Sequence, residues 1–243
     1  MTCRQAVNVW KRTKFMLNLD RLYRARFSDA DVAAKERVWQ ALCAGFFQRY
    51  IKKTDTLLEV ACGYGEFIRH INAGKKIALD INPESEKFIP PDVEFHLGTA
   101  TDLSFLPDSG VDVCFVSNFF EHLPSKDVMD DFLGDVYRVL RPGGMLMAMQ
   151  PNIKYAPGDY WDFYDHFIPL THLSCAEAFQ KCGFEVAELI GRFMPFSTRS
   201  ALPKHPFLVK LYLAFPPVWR ILGRQFFIAG KKPAQPDGTN SDQ

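Results

Sequence analysis

The sequence predicts an α/β fold, a doubly wound sheet of mostly parallel strands, and three stretches predict it. In the first, an apolar run from Leu57 to Cys62 is followed at once by Gly63 and Gly65 and then by the helical spacing of Phe67, Ile68 and Ile71. That order reads as strand, tight turn and helix. In the second, Lys76-Ile-Ala-Leu-Asp80-Ile81 reads as a strand that delivers a carboxylate. In the third, Val111 to Ser117 is an apolar run of the kind that forms a central parallel strand buried on both faces. Glycine lets a backbone approach a ligand closely, and a helix start offers unpaired N–H groups, so the first turn suits the polar end of a nucleotide-like molecule. Asp80 stands 19 positions after Ala61, the distance at which doubly wound folds set an acid against ribose hydroxyls. The predicted ligand therefore contains a ribose.

The remaining elements follow in chain order. Residues 1–27 are basic and irregular, closing with Tyr23, Arg24, Arg26 and Phe27. Ser28 and Asp29 offer a cap for an amphipathic helix that carries Val38, Trp39, Leu42, Phe46, Phe47 and Tyr50 at largely helical spacing. Asn82 caps and Pro83 opens a short helix over Glu84 to Phe88, and Val93 to Gly98 alternates as a strand. Ser125 caps a helix running to Leu140, stopped by Pro142-Gly143-Gly144, after which Met145 to Gln150 reads as a strand. Ser174 and Glu177 read as the capping box of a helix that passes through Phe179 and stops at Gly183. Phe184–Ile190 and Gln225–Lys231 are strands separated by an enlarged connection, Arg192 to Arg224, and Pro233 to Gln243 is a polar tail expected to be disordered.

Taken together these motifs resemble those of the class I S-adenosylmethionine-dependent methyltransferases. Glu59-Val-Ala-Cys-Gly-Tyr-Gly65 resembles the family's first motif, Asp80 its ribose acid, and Gly98-Thr-Ala-Thr-Asp-Leu-Ser-Phe105 its third segment. Val111 to Leu123 resembles its fourth strand and loop, and Leu140-Arg-Pro-Gly-Gly144 the turn into the fifth. Ala61 stands where the family has its first glycine, and Thr99 where it often has an acid. The resemblance covers about residues 54–190 and implies a seven-strand Rossmann-like sheet, mostly parallel with one antiparallel strand. It also implies S-adenosyl-L-methionine as cofactor, held by Glu59, Ala61, Gly63, Tyr64, Gly65, Asp80, Ile81, Ala100, Thr101, Asp102, Ser117 and Asn118. An N-terminal helix over that site would bring Tyr23 or Arg24 to the cofactor carboxylate or an acidic substrate. The implied domains are 1–53 for the basic segment and cap helix, 54–191 for the cofactor-binding core, 192–232 for the connection and last strand, and 233–243 for the tail.

Composition bounds the function. The chain has 243 residues, 47% of them hydrophobic and 23% charged, enough for one sizeable core. Its net charge of +1 conceals an asymmetry: residues 1–54 hold 12 Lys+Arg against 4 Asp+Glu, residues 55–191 hold 9 against 22, and residues 192–243 hold 8 against 2. Basic ends around an acidic core favour an anionic acceptor. Six cysteines without paired or metal spacing read as reduced core thiols. No stretch approaches the ~20 apolar residues of a membrane span, so the chain is expected in the cytoplasm, with 206–224 a candidate contact with the inner membrane surface. Nucleic acid is disfavoured as a partner, because Ser117-Asn-Phe-Phe120 replaces the Asn/Asp-Pro-Pro-aromatic motif of amino-methylating DNA enzymes.

The loop from Pro151 to Leu170 is rich in aromatics and acids at the carboxyl end of a strand and reads as the acceptor wall. Tyr155, Tyr160 and Trp161 offer flat faces for sugar or planar rings. His166 beside Asp165, with Asp162 near, is the candidate base that would take a proton from an acceptor hydroxyl. His122, next to Glu121, is read as structural. A metal set of Asp162, Asp165, His166 and His172 would need a convergence that spacing alone does not show, and no metal site is assigned. The expected activity is O-methylation of a sugar hydroxyl on a nucleotide- or lipid-linked glycan. The alternatives are a quinone-like or other small hydroxylated acceptor, or a non-catalytic cofactor-binding partner subunit. The connection at 192–224 is open between lid, dimer contact, lipid contact and an extra helix pair packed on the sheet.

Overall fold

The computed structural model describes residues 29–196 and 206–234. Seven strands form one sheet: β1 (Thr56–Val60), β2 (Lys75–Asp80), β3 (Glu94–Leu97), β4 (Val111–Ser117), β5 (Leu140–Pro151), β6 (Glu185–Ile190) and β7 (Gln225–Lys231). Their order is β3-β2-β1-β4-β5-β7-β6. The first five pair in parallel, and β7 runs antiparallel to both β5 and β6. The expected seven-strand sheet with one antiparallel strand is the one observed. The chain reverses its direction of travel across the sheet between β1 and β4, and the loops leaving their carboxyl ends flank the crevice where open α/β sheets take ligands.

The helices are α1 (Asp29–Gly45), α2 (Glu66–His70), α3 (Lys126–Val139), α4 (Pro157–Trp161), α5 (His172–Lys181), α6 (Pro206–Ala214) and α7 (Trp219–Leu222). Side chains of successive strand residues point to opposite faces, and the two cores follow that alternation. Cys114 and Val116 of β4 join Phe132 and Val136 of α3 and Phe179 of α5 on one face. Val113 and Phe115 join Trp39 of α1, Phe46 just beyond its end and Phe67 of α2 on the other. Burial on both faces is the reason β4 is apolar nearly throughout. Phe67 and Phe115 stack with centroids 3.8 Å apart and planes at 23°, fixing α2 against the sheet behind the glycine turn.

Several boundaries differ from the sequence expectation for local reasons. The first helix stops at Gly45, where a Cβ would lie 3.1 Å from Leu213 Cδ1, and Phe47–Tyr50 continues as a separate 3₁₀ turn. Strand β5 begins at Leu140, paired with Val111, so Pro142-Gly143-Gly144 forms an irregularity inside the strand rather than a stop before it. The cap of α5 is Thr171, not Ser174. Thr171 Oγ1 accepts from Ser174 N at 3.1 Å, while Ser174 Oγ accepts from Thr171 N at 3.0 Å, closing the box one turn earlier than Ser174 and Glu177 would.

The enlarged connection contributes α6 and α7 as a helix pair on the α1 side of the sheet. Val209 and Trp219 enter that core, Tyr212 donates its hydroxyl to Phe193 O at 2.5 Å, and Trp219 Nε1 donates to Tyr212 O at 2.7 Å. Phe207, Leu211, Phe215 and Ile221 remain exposed on its outer side. No helix among the described residues is long and apolar enough to cross a membrane. Tyr23, Arg24 and the tail beyond residue 234 lie outside the described residues.

Candidate active site

The turn after β1 is built on three left-handed residues in five. Ala61, Gly63 and Gly65 have φ of 55°, 55° and 72°. This conformation costs an L residue roughly 1–2 kcal/mol and glycine almost nothing, so Ala61 is the strained member. Asp80 holds the turn from the neighbouring strand: its Oδ2 accepts from Gly63 N at 2.7 Å and its Oδ1 from Asn82 N at 2.8 Å. Burial pushes the Asp80 carboxyl up, and these backbone donors only partly counter it. A Cβ placed on Gly63 would meet nothing within 4 Å, so space opens in front of the turn.

Glu59 plays a different part from the one expected. It is buried, and its Oε2 accepts from Ile68 N at 3.0 Å, so it braces the start of α2. Burial first, then the nearby Glu66 and Asp80 carboxylates, push its pKa well above the usual range. The α2 N–H at Ile68 is therefore satisfied inside the protein rather than offered to a ligand. Tyr64 lies half-buried with its ring 4.5 Å from Phe88, and Ile81 is partly exposed just beyond Asp80.

The loop after β3 borders a cavity of about 200 Å³ walled by Leu79, His96, Thr99, Asp102 and Phe105. His96 stacks on Phe105 at 4.0 Å. Asp102 Oδ1 accepts from Ser104 N and Oγ at 3.2 and 2.6 Å, which holds its carboxyl below the usual range, and Thr99 Oγ1 lies 3.0 Å from Thr101 Oγ1. Ala100 and Thr101 ride in the same loop. At the end of β4, Asn118 takes a left-handed φ of 47°. Its Nδ2 donates to Ser117 Oγ at 3.1 Å, and its Oδ1 accepts from Gln225 Nε2 at 2.5 Å. Ala61, Gly63, Asp80, residues 99–102, Ser117 and Asn118 thus all sit at strand ends, or on the loops leaving them, along the same edge of the parallel sheet.

A buried cluster of ionisable side chains lies just past Asn118. Gln150 Oε1 accepts from Phe119 N and Phe120 N at 2.9 and 3.4 Å, setting the 3₁₀ turn Phe120–His122. Glu121 O accepts from Phe167 N and Ile168 N at 2.7 and 3.4 Å, and the Tyr160 hydroxyl donates to Ile168 O. These bonds bring His166 to the turn, so that one ligand-type atom from each of Glu121, His122 and His166 lies within 4.8 Å of the others.

Glu121 is 2% exposed, neither carboxylate oxygen has a hydrogen-bond partner, and burial pushes its pKa up to about 7. His122 Nδ1 lies 2.9 Å from Asp165 O and 3.2 Å from Asp165 Oδ2. A carbonyl only accepts, so Nδ1 carries the proton and the lone pair of the neutral ring is on Nε2. Burial lowers the His122 pKa, but Asp165 and Glu121 outweigh it and the net direction is up. His166 is buried against the rings of Phe163, Tyr160 and His122, 4.8, 4.7 and 5.0 Å away.

The expected acceptor wall divides in two. Trp161 is 57% and Tyr164 92% exposed, whereas Tyr160 is fully buried with its hydroxyl spent on Ile168 O. Tyr160 is corrected from a wall residue to an anchor. Tyr155 is half-buried between the His172 ring, 6.1 Å away, and the Arg192 guanidinium, 4.6 Å from its centroid. Asp162 is exposed after α4 and does not join the cluster, and His172 faces Asn152 Nδ2 at 3.0 Å. The set Asp162, Asp165, His166 and His172 is therefore not assembled. Glu121 and His122, which the sequence reading left aside, occupy the place it gave to Asp162. Their signal was an acid and a histidine at the mouth of the central strand.

A family model described as a methyltransferase domain matches residues 58–148, which span β1 to β5. The chain is 28% identical over 199 residues to the probable methyltransferase ltbC of Aspergillus luteorubrus, covering 74% of this chain and 67% of that one. It is 30% identical over 169 residues to a probable S-adenosylmethionine-dependent methyltransferase of Mycolicibacterium smegmatis, covering 66% and 64%. Among solved structures, a SAM-dependent methyltransferase from Archaeoglobus fulgidus superposes with a TM-score of 0.61 at 21% identity, covering 82% of this chain and 94% of that one, a likeness of fold. The chain spans about two thirds of the length of these two curated relatives.

Proposed function

We propose that this chain, a class I S-adenosylmethionine-dependent methyltransferase by its domain and fold, methylates a hydroxyl oxygen of a small acceptor, and that the acceptor is a sugar hydroxyl on a nucleotide- or lipid-linked glycan. The observation that carries the hydroxyl assignment is the buried Glu121–His122–His166 cluster backed by Asp165 at the mouth of β4. A neutral hydroxyl is a poor nucleophile, and transfer is helped when its proton has a place to go.

The cofactor, S-adenosyl-L-methionine, supplies an electrophilic sulfonium methyl when bound. The residues present fit it. The open space at Gly63 admits close backbone approach, and the buried Asp80 carboxylate gains from the hydroxyl donors of a ribose. The loop 98–102 with its cavity suits a flat base, and Ser117 with Asn118 stands at the end of β4, just before the cluster in the chain. In the reaction the acceptor oxygen forms the new bond to carbon, the S–CH3 bonding pair returns to sulfur, and the hydroxyl proton leaves through the histidine–carboxylate cluster. Holding the reactants in line supplies most of the rate, since it replaces an encounter in solution.

For the acceptor, the exposed faces of Trp161, Tyr164 and Phe167 lie on the loop that carries His166, where a sugar ring would stack. The outer side of α6 and α7 sets exposed Phe207, Leu211, Phe215 and Ile221 beside exposed Lys210 and Arg220, which favours a carrier with an anionic, lipid-bound end at a membrane surface. The test is mass spectrometry of products formed from nucleotide sugars, lipid-linked glycans and small phenols. A methylated glycan with S-adenosylhomocysteine is the expected outcome. A methylated phenol alone would move the acceptor to quinone-like metabolites, and cofactor binding without any product would make the chain a non-catalytic subunit.

A further inference from the structure

We infer that Glu121, His122 and His166 form a binding site for one divalent first-row transition-metal cation, which binds the acceptor oxygen and promotes loss of its proton. The inference rests on the reading of this cluster as the acceptor end of the site.

Three independent features point to a cation. Two imidazoles and one carboxylate are brought within 4.8 Å of one another from two loops far apart in sequence. Glu121 is almost completely buried with both oxygens lacking any hydrogen bond, an arrangement that costs free energy unless something positive faces it. His122 is oriented from behind by Asp165, whose carbonyl and carboxylate both lie at Nδ1, so the Nε2 lone pair is directed elsewhere. A carboxylate or carbonyl on the far nitrogen is the usual outer support of a metal-binding histidine.

The donor set defines the ion. Two imidazoles with one carboxylate suit zinc, manganese, iron or nickel better than magnesium or calcium, which prefer all-oxygen sites. Ligand atoms around a bond length of about 2.0–2.2 Å stand roughly 3–3.5 Å apart, so the three side chains need to close by no more than about 1–2 Å to hold the ion. Three protein ligands leave positions open. With the ion in place these side chains serve as its ligands instead of accepting the proton themselves, and an acceptor hydroxyl bound to the ion loses its proton to water more readily than a free hydroxyl does. The oxygen then attacks the methyl carbon with the proton already gone, and the ion undergoes no change of oxidation state.

The experiment uses the full chain, stripped with chelator and titrated calorimetrically with Mn²⁺ and, separately, Zn²⁺, with metal content read by mass spectrometry after desalting. The wild-type protein should bind one cation per chain. Glu121→Gln and His166→Gln should each weaken binding at least tenfold, with S-adenosylhomocysteine affinity unchanged within about twofold. Wild-type protein that takes up neither cation at millimolar concentration overturns the inference, as does full-strength binding by both variants, which would place the ion elsewhere. Thermal unfolding checks each variant, and His166→Gln stands in if Glu121→Gln does not fold. Cation binding without S-adenosylhomocysteine binding would overturn the functional reading and leave the metal site standing. S-adenosylhomocysteine binding without cation binding would do the reverse.

Discussion

Gly63 donates its backbone N–H to the Asp80 carboxylate at 2.7 Å, so the turn after β1 and the end of β2 are one unit. Replacing Asp80 by Ala removes the acceptor of two backbone N–H groups and the partner proposed for the ribose. Affinity for S-adenosylhomocysteine should fall at least tenfold, a loss of about 1.4 kcal/mol or more. Isothermal titration checks it, and an unchanged dissociation constant would remove Asp80 from the site.

The same turn contains a correctable strain. Ala61 sits at φ 55°, where glycine is at ease, so Ala61→Gly should raise unfolding free energy by about 0.5–1 kcal/mol once the greater freedom of glycine in the unfolded chain is discounted. Urea denaturation measures this. A less stable variant would mean that the methyl group of Ala61 makes contacts worth more than the strain.

Glu59 makes stability depend on pH in a defined direction. Its folded pKa lies well above the ordinary 4.5, because burial and the nearby Glu66 and Asp80 carboxylates disfavour the charge. A carboxyl of this kind binds its proton more tightly in the fold than in the unfolded chain. Its favourable contribution is therefore complete below about pH 4.5 and is lost as pH rises from there through the folded value. Glu59→Gln keeps an oxygen for Ile68 N and removes the titration. Melting temperatures from pH 5 to 8 should then decline less in the variant than in the wild type, and parallel profiles would contradict the assignment.

His166 and Asp162, four residues apart on one loop, should behave oppositely. With a productive acceptor, His166→Ala should cut turnover by at least about 100-fold while S-adenosylhomocysteine affinity holds. Asp162→Asn, exposed and outside the cluster, should leave turnover within about twofold. Equal effects of the two substitutions would dissolve the cluster as a functional unit.

What the sequence made legible and what it hid have physical reasons. Strand β4 was readable because Val113 and Phe115 face one core and Cys114 and Val116 the other, which leaves an apolar run that few other environments produce. The glycine turn was readable because left-handed backbone leaves a residue signature at Gly63 and Gly65, even with Ala61 breaking it. The cluster was not. Asp165 is 43 residues from His122 in the chain, and they meet where Phe167 N and Ile168 N bond to Glu121 O and Tyr160 holds Ile168. Nothing local to Glu121-His122 announces a partner that arrives after another whole helix and strand. Nor does composition separate Tyr160 from Trp161. Both are aromatic, and only the direction in which each leaves α4 makes one a pillar and the other a surface.

That split, continued through Tyr164 and Phe167 beyond α4, bears on which substitutions this segment tolerates. Tyr160 and the two amides bonded to Glu121 hold the backbone from beneath, while Trp161, Tyr164 and Phe167 face outward and carry little of that support. Substituting the outward trio should therefore leave the geometry beneath it intact, because none of those three side chains anchors the backbone. The segment thus separates an anchoring face, which the fold needs, from a replaceable one, which it does not.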